Sequence, residues 1–590
     1  MCGIWCSIGF SASKSVINVI KHRGPDGEGW REFNTIHGQL SLGHRCLNII
    51  DRVTNLEQPY NSLCGNYWIV FNGEIYNYLE IKSELEKKGY KFKTKTDTEV
   101  VLNAYTEWKE AALLKFNGMF AFVIYDKVKN LLFAARDQFG IKPLYLYYND
   151  SGVCFFSEIK QVLQLGSVTP KANLARCIDY IHYGITNHTS ETMFESIYEV
   201  RAGKCATFDL NLNSRPNVKN WSNQIKHKYN YSKNLDDLSQ ELERLLTSSI
   251  NLQMQADVPV GLCLSGGLDS SAINAFARYI NPKKNVTSFS ILNNSTEIDE
   301  SSFIASVVEY LNIDNKSTNL DIDDFLPSIE KMLWHQDEPF GGTSLFAQWK
   351  LFDFASSHGV KVLLCGQGAD ELLAGYAHLP SIHRAYRARE LGISKVATHL
   401  DENEIHLNSQ LSYLLQELTP TENYKRNLFK INCGDDLNSV CRNLVSTNSL
   451  PMLLRYEDRN SMAHSIEARV PFLDKNLAEF ALELDSDYKI FHGQTKYILR
   501  YLLKDKLPEL ITKRRQKIGF STPEHVWLTN KKLIILIKKT IRELIPSWRH
   551  LFSEKVLLDF CAENVSIDHT NMFYMWRIFC FLLWSKRLDL

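Results

Sequence analysis

Val258-Pro259-Val260-Gly261-Leu262-Cys263-Leu264-Ser265-Gly266-Gly267-Leu268-Asp269-Ser270-Ser271 opens on an apolar run, passes through a paired glycine and enters the helical pattern Ala272 to Ile280. The apolar run reads as a buried strand, so strand, turn and helix form a βα unit. Gly266 and Gly267 allow a tight turn with exposed amides. Together with the helix N-terminus, these amides favour an anion such as pyrophosphate. Ser265 and Ser270 add hydroxyl donors, and Asp269 in an anion-seeking loop makes sense if Mg²⁺ bridges it to phosphate oxygens. A strand-to-helix turn with a Ser or Asp cap is the structural alternative.

The pattern repeats on both sides of this unit. Asp236 to Leu252 has apolar residues at helical spacing, and Val286 to Ile291 and Val360 to Cys365 read as further strands alternating with helices. That alternation predicts a parallel sheet covered on both faces. From Ser381 onward the pattern is mostly helical. Upstream, Tyr67 to Phe71, Phe120 to Tyr125, Leu131 to Ala135 and Leu144 to Tyr148 are short β-type runs punctuated by Asn and Gly, which predicts packed sheets. A polar, weakly periodic stretch separates the halves, so we expect domains at 1–210 and 236–590 joined by a linker at 211–235.

The chain's 590 residues exceed what one core organises. Lys plus Arg and Asp plus Glu both number 67, which removes the electrostatic case for nucleic acid or an anionic membrane and leaves small molecules as expected partners. The 13 cysteines are odd in number and contain no Cys-x-x-Cys pair, which fits a reducing, cytoplasmic setting better than a disulfide scaffold. The apolar run from Trp576 to Trp584 is interrupted by Arg577 and is too short to span a bilayer, so it reads as a buried helix.

The string Ser265 to Ser271 resembles the pyrophosphate loop of the N-type ATP pyrophosphatases, and Cys365-Gly366-Gln367-Gly368-Ala369-Asp370-Glu371 is a second match. The resemblance implies ATP as substrate with Mg²⁺. It implies that Leu264, Ser265, Gly266, Gly267, Asp269, Ser270, Ile291, Cys365 and Gly366 surround the nucleotide. Asp269 and Asp370 would hold the metal, and Lys496 would neutralise the departing pyrophosphate.

The N-terminus narrows the reading. If Met1 is removed, Cys2 carries a free α-amine with a reference pKa of about 7.7–8.0, suited to take a proton from a thiol at about 8.5. Cys2-Gly3-Ile4, His22 to Gly27, Gly43-His44-Arg45, Phe71 to Asn77 and Asp97 resemble, in this order, class II glutamine amidotransferases. The resemblance implies that Arg45 forks the glutamine α-carboxylate, that Glu74 and Asp97 hold its ammonium, and that Leu47 and Ile49 belong to the same site. Asn72 and Gly73 would form the oxyanion hole. Structural alternatives are a hairpin turn at Asn72-Gly73, a surface ion pair at Arg45 and a helix cap at Asp97.

Both halves in this order resemble the glutamine-hydrolysing asparagine synthetase family nearly end to end, with further matches at Arg136 to Tyr145, Met462 to Asp474 and Lys496 to Arg500. The implied fold is an N-terminal antiparallel αββα sandwich followed by a doubly wound α/β synthetase domain with helical additions. The implied reaction joins glutamine hydrolysis to ATP-dependent amidation of aspartate through an acyl-adenylate. A relative amidating another carboxylate, such as a sugar uronate, a peptide or a biosynthetic intermediate, shares the same motifs. The family allows a homodimer. Many members carry Glu where this chain has Gln367; Gln cannot accept and hold a proton, so the catalytic part expected at that position is left open.

Overall fold

The computed structural model describes residues 2–50, 57–211, 215–222, 234–282, 286–293, 299–390, 436–515, 522–549, 551–553, 557–558, 561 and 569–588. Met1, most of the expected linker and part of the helical C-terminal region lie outside them.

Two antiparallel sheets build the first half. One comprises β1 (Gly3–Ile8), β2 (Gly27–Thr35), β3 (Gly38–Cys46), β8 (Tyr145–Asn149), β9 (Gly152–Phe156) and β10 (Ile197–Glu199), in the order β10-β8-β9-β1-β3-β2. The other comprises β4 (Tyr60–Asn61), β5 (Tyr67–Ile75), β6 (Gly118–Asp126), β7 (Leu131–Arg136), β11 (Lys204–Asp209) and β12 (Asn217–Asn220), in the order β12-β11-β7-β6-β5-β4. The inner strands β1, β6, β7 and β9 are mostly apolar because both of their faces are covered, whereas the edge strands β2 and β12 are mostly polar and exposed or half-buried. Ile4, Cys6 and Ile8 of β1 face Val70, Ala121 and Val123 of the opposite sheet. The alternate residues Ile69, Phe71, Phe120 and Phe122 point outward onto helices Tyr78–Lys87 and Asp97–Trp108. Trp5, Cys154 and Phe156 point the other way, into a cluster shared with the C-terminal helix His569–Arg587. Period-two alternation between two apolar environments yields the four-layer αββα sandwich.

The second half holds a parallel sheet of β13 (Val260–Cys263), β14 (Ser288–Leu292), β15 (Asn315–Asn319), β16 (Val362–Leu364) and β17 (Glu467–Arg469), in the order β15-β14-β13-β16-β17. The quoted strand starts at Val260 rather than Val258, after Pro259, which has no N–H to give to a ladder but accepts from Lys361. Its helix runs Leu268–Ile280, beginning directly after Gly267 and so earlier than the apolar periodicity indicates. β12 falls within the stretch read as linker and extends the second sheet. Trp576 and Trp584 are fully buried in the C-terminal helix. No helix among the described residues is long and apolar enough to cross a membrane.

The halves share one core. Leu47, Ile49, Tyr76, Met119, Phe139 and Ile141 of the first half join Leu262, Leu264, Leu363 and Phe472 of the second. Helix Leu450–Ala463 carries the polar part of the junction. Arg23, fully buried, donates through Nη1 to Glu158 (2.9 Å) and through both terminal nitrogens to Asp458 (2.7 and 3.0 Å). Arg459 pairs with Glu158 at 2.8 Å and with Asp337 at 3.1 Å, and Lys160 bridges Glu158 and Asp337. His22 lies 3.1 Å from Glu158.

Removing one partner from such a network leaves a buried uncompensated charge, at a cost of about 3–5 kcal/mol. Asp458→Ala should destabilise the chain by that amount in denaturant unfolding, and Asp458→Asn, which keeps an acceptor for Arg23, should cost less.

Candidate active sites

The first site lies at the start of β1. Antiparallel pairing sets Gly3 opposite Arg45, so one step further along the ladder Cys2 meets Cys46. The ligand atoms of Cys2, His44 and Cys46 all lie within 4.8 Å of one another. Hydrogen bonding from Cys46 is the largest influence on the Cys2 thiol; with His44 it outweighs burial and holds the thiol well below its ordinary range. The Cys46 thiol is pushed up in return. His44 Nε2 faces the Phe71 carbonyl at 3.2 Å, which leaves Nδ1 for the thiol side.

Asn72 and Gly73 sit inside β5, paired with Ala121 and Phe120, and not in a hairpin turn. A Cβ at Gly73 would stand 2.1 Å from the Met119 carbonyl oxygen, so the strand pairing itself requires glycine there. Asn72 Oδ1 accepts from the Cys2 backbone nitrogen at 3.0 Å, while its Nδ2, buried, has no partner among the described residues. An unpaired buried amide N–H beside a thiol can donate to a developing oxyanion.

Arg45 is buried rather than a surface ion pair. Its Nε donates to the Ile17 carbonyl, and its Nη2 reaches Asn18 and Glu28. Asp97 opens helix Asp97–Trp108 and accepts from the Ile75 backbone at 2.9 Å. Burial drives the Asp97 carboxyl up to about 7. Burial and the neighbouring Asp97 raise Glu74 well above the ordinary carboxylate range, against the pull of Arg469, whose Nη2 lies 3.6 Å away. Leu47 and Ile49 are buried in the shared core, and the Ile49 carbonyl accepts from Asp257 of the second half.

The second site is a cavity of about 500 Å³ at the C-terminal ends of β13 and β16, where open α/β sheets collect ligands. Ser265, Gly267, Asp269, Ser270, Cys365, Gly366, Gln367, Asp370 and Lys496 line it. Leu264, Gly266 and Ile291 stand behind this lining: Leu264 is fully buried, and Ile291 lies half-buried on β14. Lys496 Nζ bridges the two loops, 2.5 Å from Asp269 and 2.7 Å from Asp370. Burial opposes the Lys496 charge, but the two aspartates outweigh it and raise its pKa. Gly375 keeps this contact open, since a Cβ there would lie 2.0 Å from Asp370 Oδ1 and 2.1 Å from Lys496 Cε. The Ser265 and Ser270 hydroxyls are 3.1 Å apart, and Arg514 braces the turn through the Gly266 carbonyl at 3.1 Å.

Sequence reasoning missed Glu457. It lines the cavity from helix Leu450–Ala463, accepts through Oε2 from Gln348 at 3.1 Å, and makes no well-aligned hydrogen bond through Oε1 among the described residues. Burial lifts its carboxyl to about 7, while Cys365 and then Gln367, Lys142 and Gln348 pull it back. The signal available was the run Arg455, Glu457, Asp458, Arg459 directly after the apolar start Leu450 to Leu454 of the same helix. Cys46 was missed too, because only strand register brings it to Cys2.

Residues 241–586 match the family model described as Asparagine synthase, and residues 1–221 match the one described as Glutamine amidotransferase domain. Asparagine synthetase (glutamine-hydrolyzing) 1 of Bacillus subtilis is 30% identical, the similarity covering 97% of this chain and 93% of that protein. Asparagine synthetase (glutamine-hydrolyzing) 2 of the same organism is 31% identical over 91% of this chain and 72% of that protein. Amidase chry2 of Gibberella zeae is 25% identical over 89% and 87%. With the synthase model matching more than half of its length behind a glutamine amidotransferase domain, the chain belongs to the asparagine synthase family.

Proposed function

We propose that the chain is a glutamine-dependent asparagine synthetase. Cys2 attacks the glutamine side-chain amide and releases ammonia, with water later clearing the thioester. In the second half, ATP converts the side-chain carboxylate of aspartate to an acyl-adenylate, and ammonia displaces AMP. The observation that carries this reading is the single helix Leu450–Ala463, which grips Arg23 behind Cys2 and also lines the cavity between the two loops. The named activity of the relatives similar over nearly the whole chain supports aspartate as acceptor.

The geometry supports the following roles. Once Met1 is removed, the Cys2 nitrogen is an amine beside its own thiol, and Asn72 Nδ2 with the Gly73 N–H receives the oxyanion. Glu74 and Asp97 resist ionisation while buried alone and gain charge beside a substrate ammonium. Arg45 meets the α-carboxylate, with Leu47 and Ile49 behind it. Ser265, Gly267, Ser270 and Gly366 cradle the phosphates, and Lys496 offsets charge on pyrophosphate. Two carboxylates converging on one ammonium, at Asp269 and Asp370, form a hard-oxygen donor set that fits Mg²⁺. When bound, that ion screens phosphate charge.

A second reading keeps this chemistry and changes the acceptor. It is favoured by Gln367 in the cavity and by similarity to a protein named an amidase. Isotope-labelled aspartate decides between them: labelled asparagine is expected, and its absence from a glutaminase-active enzyme promotes the second reading.

Cys2→Ala should lower glutamine hydrolysis by roughly 10³-fold or more while leaving synthesis from ammonium salts intact. Asp269→Asn or Asp370→Asn should suppress AMP and pyrophosphate formation while glutamine hydrolysis continues; ADP and phosphate as products would defeat the adenylate. Cys46→Ala should move the pH midpoint of Cys2 alkylation by iodoacetamide upward, since the largest influence lowering that thiol is gone.

A further inference from the structure

Ammonia adding to an activated carboxyl places a positive charge on nitrogen, and the amide forms only when that nitrogen loses a proton. Among the described residues, four carboxylates line the cavity. Asp269 and Asp370 are both held by Lys496. Glu524 accepts from the Ser344 backbone at 3.0 Å and from the Thr343 hydroxyl at 3.3 Å through one oxygen. Glu457 is 2% exposed, is anchored by Gln348 through one oxygen, makes no well-aligned hydrogen bond through the other among the described residues, and has the Cys365 thiol and the Gln367 amide against its carboxyl. Gln367, which lies against it, can orient a group but cannot store a proton.

We propose that Glu457 is the base of the amide-forming step, taking a proton from ammonia nitrogen as that nitrogen bonds to the activated carboxyl carbon. The carbon–oxygen bond to the phosphate then breaks and AMP leaves with the electron pair. Glu457 afterwards gives its proton to solvent, so acyl-adenylate and ammonia yield amide, AMP and one proton. The assignment rests on the adenylate reading above. A carboxyl raised to about 7 is matched to this task near neutral pH, where it is partly ionised yet basic enough to hold a proton. The groups facing it are the Cys365 thiol, the Gln367 and Gln348 amides and, from the first half, Lys142. The same helix turns Asp458 toward Arg23, whose Nε donates to the Cys2 carbonyl at 3.0 Å, so the base stands on the wall shared with the thiol site.

The test supplies ammonium directly, bypassing glutamine, and reads amide formation separately from ATP–pyrophosphate exchange across pH at fixed free ammonia. Glu457→Gln should lower amide formation by about 10²- to 10⁴-fold, abolish its rising limb near neutral pH and leave exchange in place. Adding Gln367→Glu to that variant returns a carboxylate to the neighbouring position and should restore amide formation. A Glu457→Gln enzyme with the parental rate and pH limb overturns the proposal. So does joint loss of exchange and amide formation that the second substitution fails to restore, which marks a structural role. A parent that makes no adenylate with any acid defeats the underlying functional reading instead, and this inference with it.

Discussion

Arg23 has no contact with solvent, and its guanidinium is divided among Glu158, Asp458 and the Cys2 carbonyl. Taking such ions from water costs several kcal/mol each, and attraction repays this only when partners and geometry are complete. The ring of Arg23, Glu158, Arg459, Asp337, Lys160 and Asp458 draws these partners from both halves of the chain. Arg23–Asp458, Lys160–Asp337 and Glu158–Arg459 cross from one half to the other. The sandwich and the parallel sheet are thereby held in one arrangement, because a shift of either would leave a charge unpaired away from water.

Helix Leu450–Ala463 turns that constraint into function. Its consecutive residues point to different environments: Glu457 into the cavity, Asp458 to Arg23 behind the thiol, and Arg459 to Glu158 and Asp337. A helix polar on several sides is stable here because those sides meet protein of opposite charge or a cavity. Lys142 and Arg469 extend the seam. Lys142 reaches the Ala468 carbonyl across it, and Arg469 pairs with Glu467 at 2.6 Å while approaching Glu74.

Burial also sets the proton chemistry in opposite senses at the two sites. The thiol at Cys2 is lowered because Cys46 and His44 support its charged form against desolvation. The carboxyls of Glu74, Asp97 and Glu457 are raised because desolvation exceeds the help they receive. The difference lies in the number and charge of close donors, not in depth alone.

Local pattern decided much in advance. Apolar runs gave strands in both halves, Gly266-Gly267 marked the strand-to-helix turn, and the cysteine, Asn-Gly and acidic signals of the N-terminal half named residues that the fold gathers around Cys2. These features were legible because strand and helix periodicity, glycine turns and short motifs depend on neighbours in the chain. Element ends were less so: β5 continues through Asn72-Gly73 because β6 pairs with it, although the dipeptide by itself also suits a turn. Tertiary structure alone decided that Cys46 meets Cys2, that Lys496 stands between Asp269 and Asp370, and that Glu457 faces Gln367. Each depends on strand register or on the docking of segments far apart in sequence. Burial and pairing of charge belong to that docking, and no local pattern carries them.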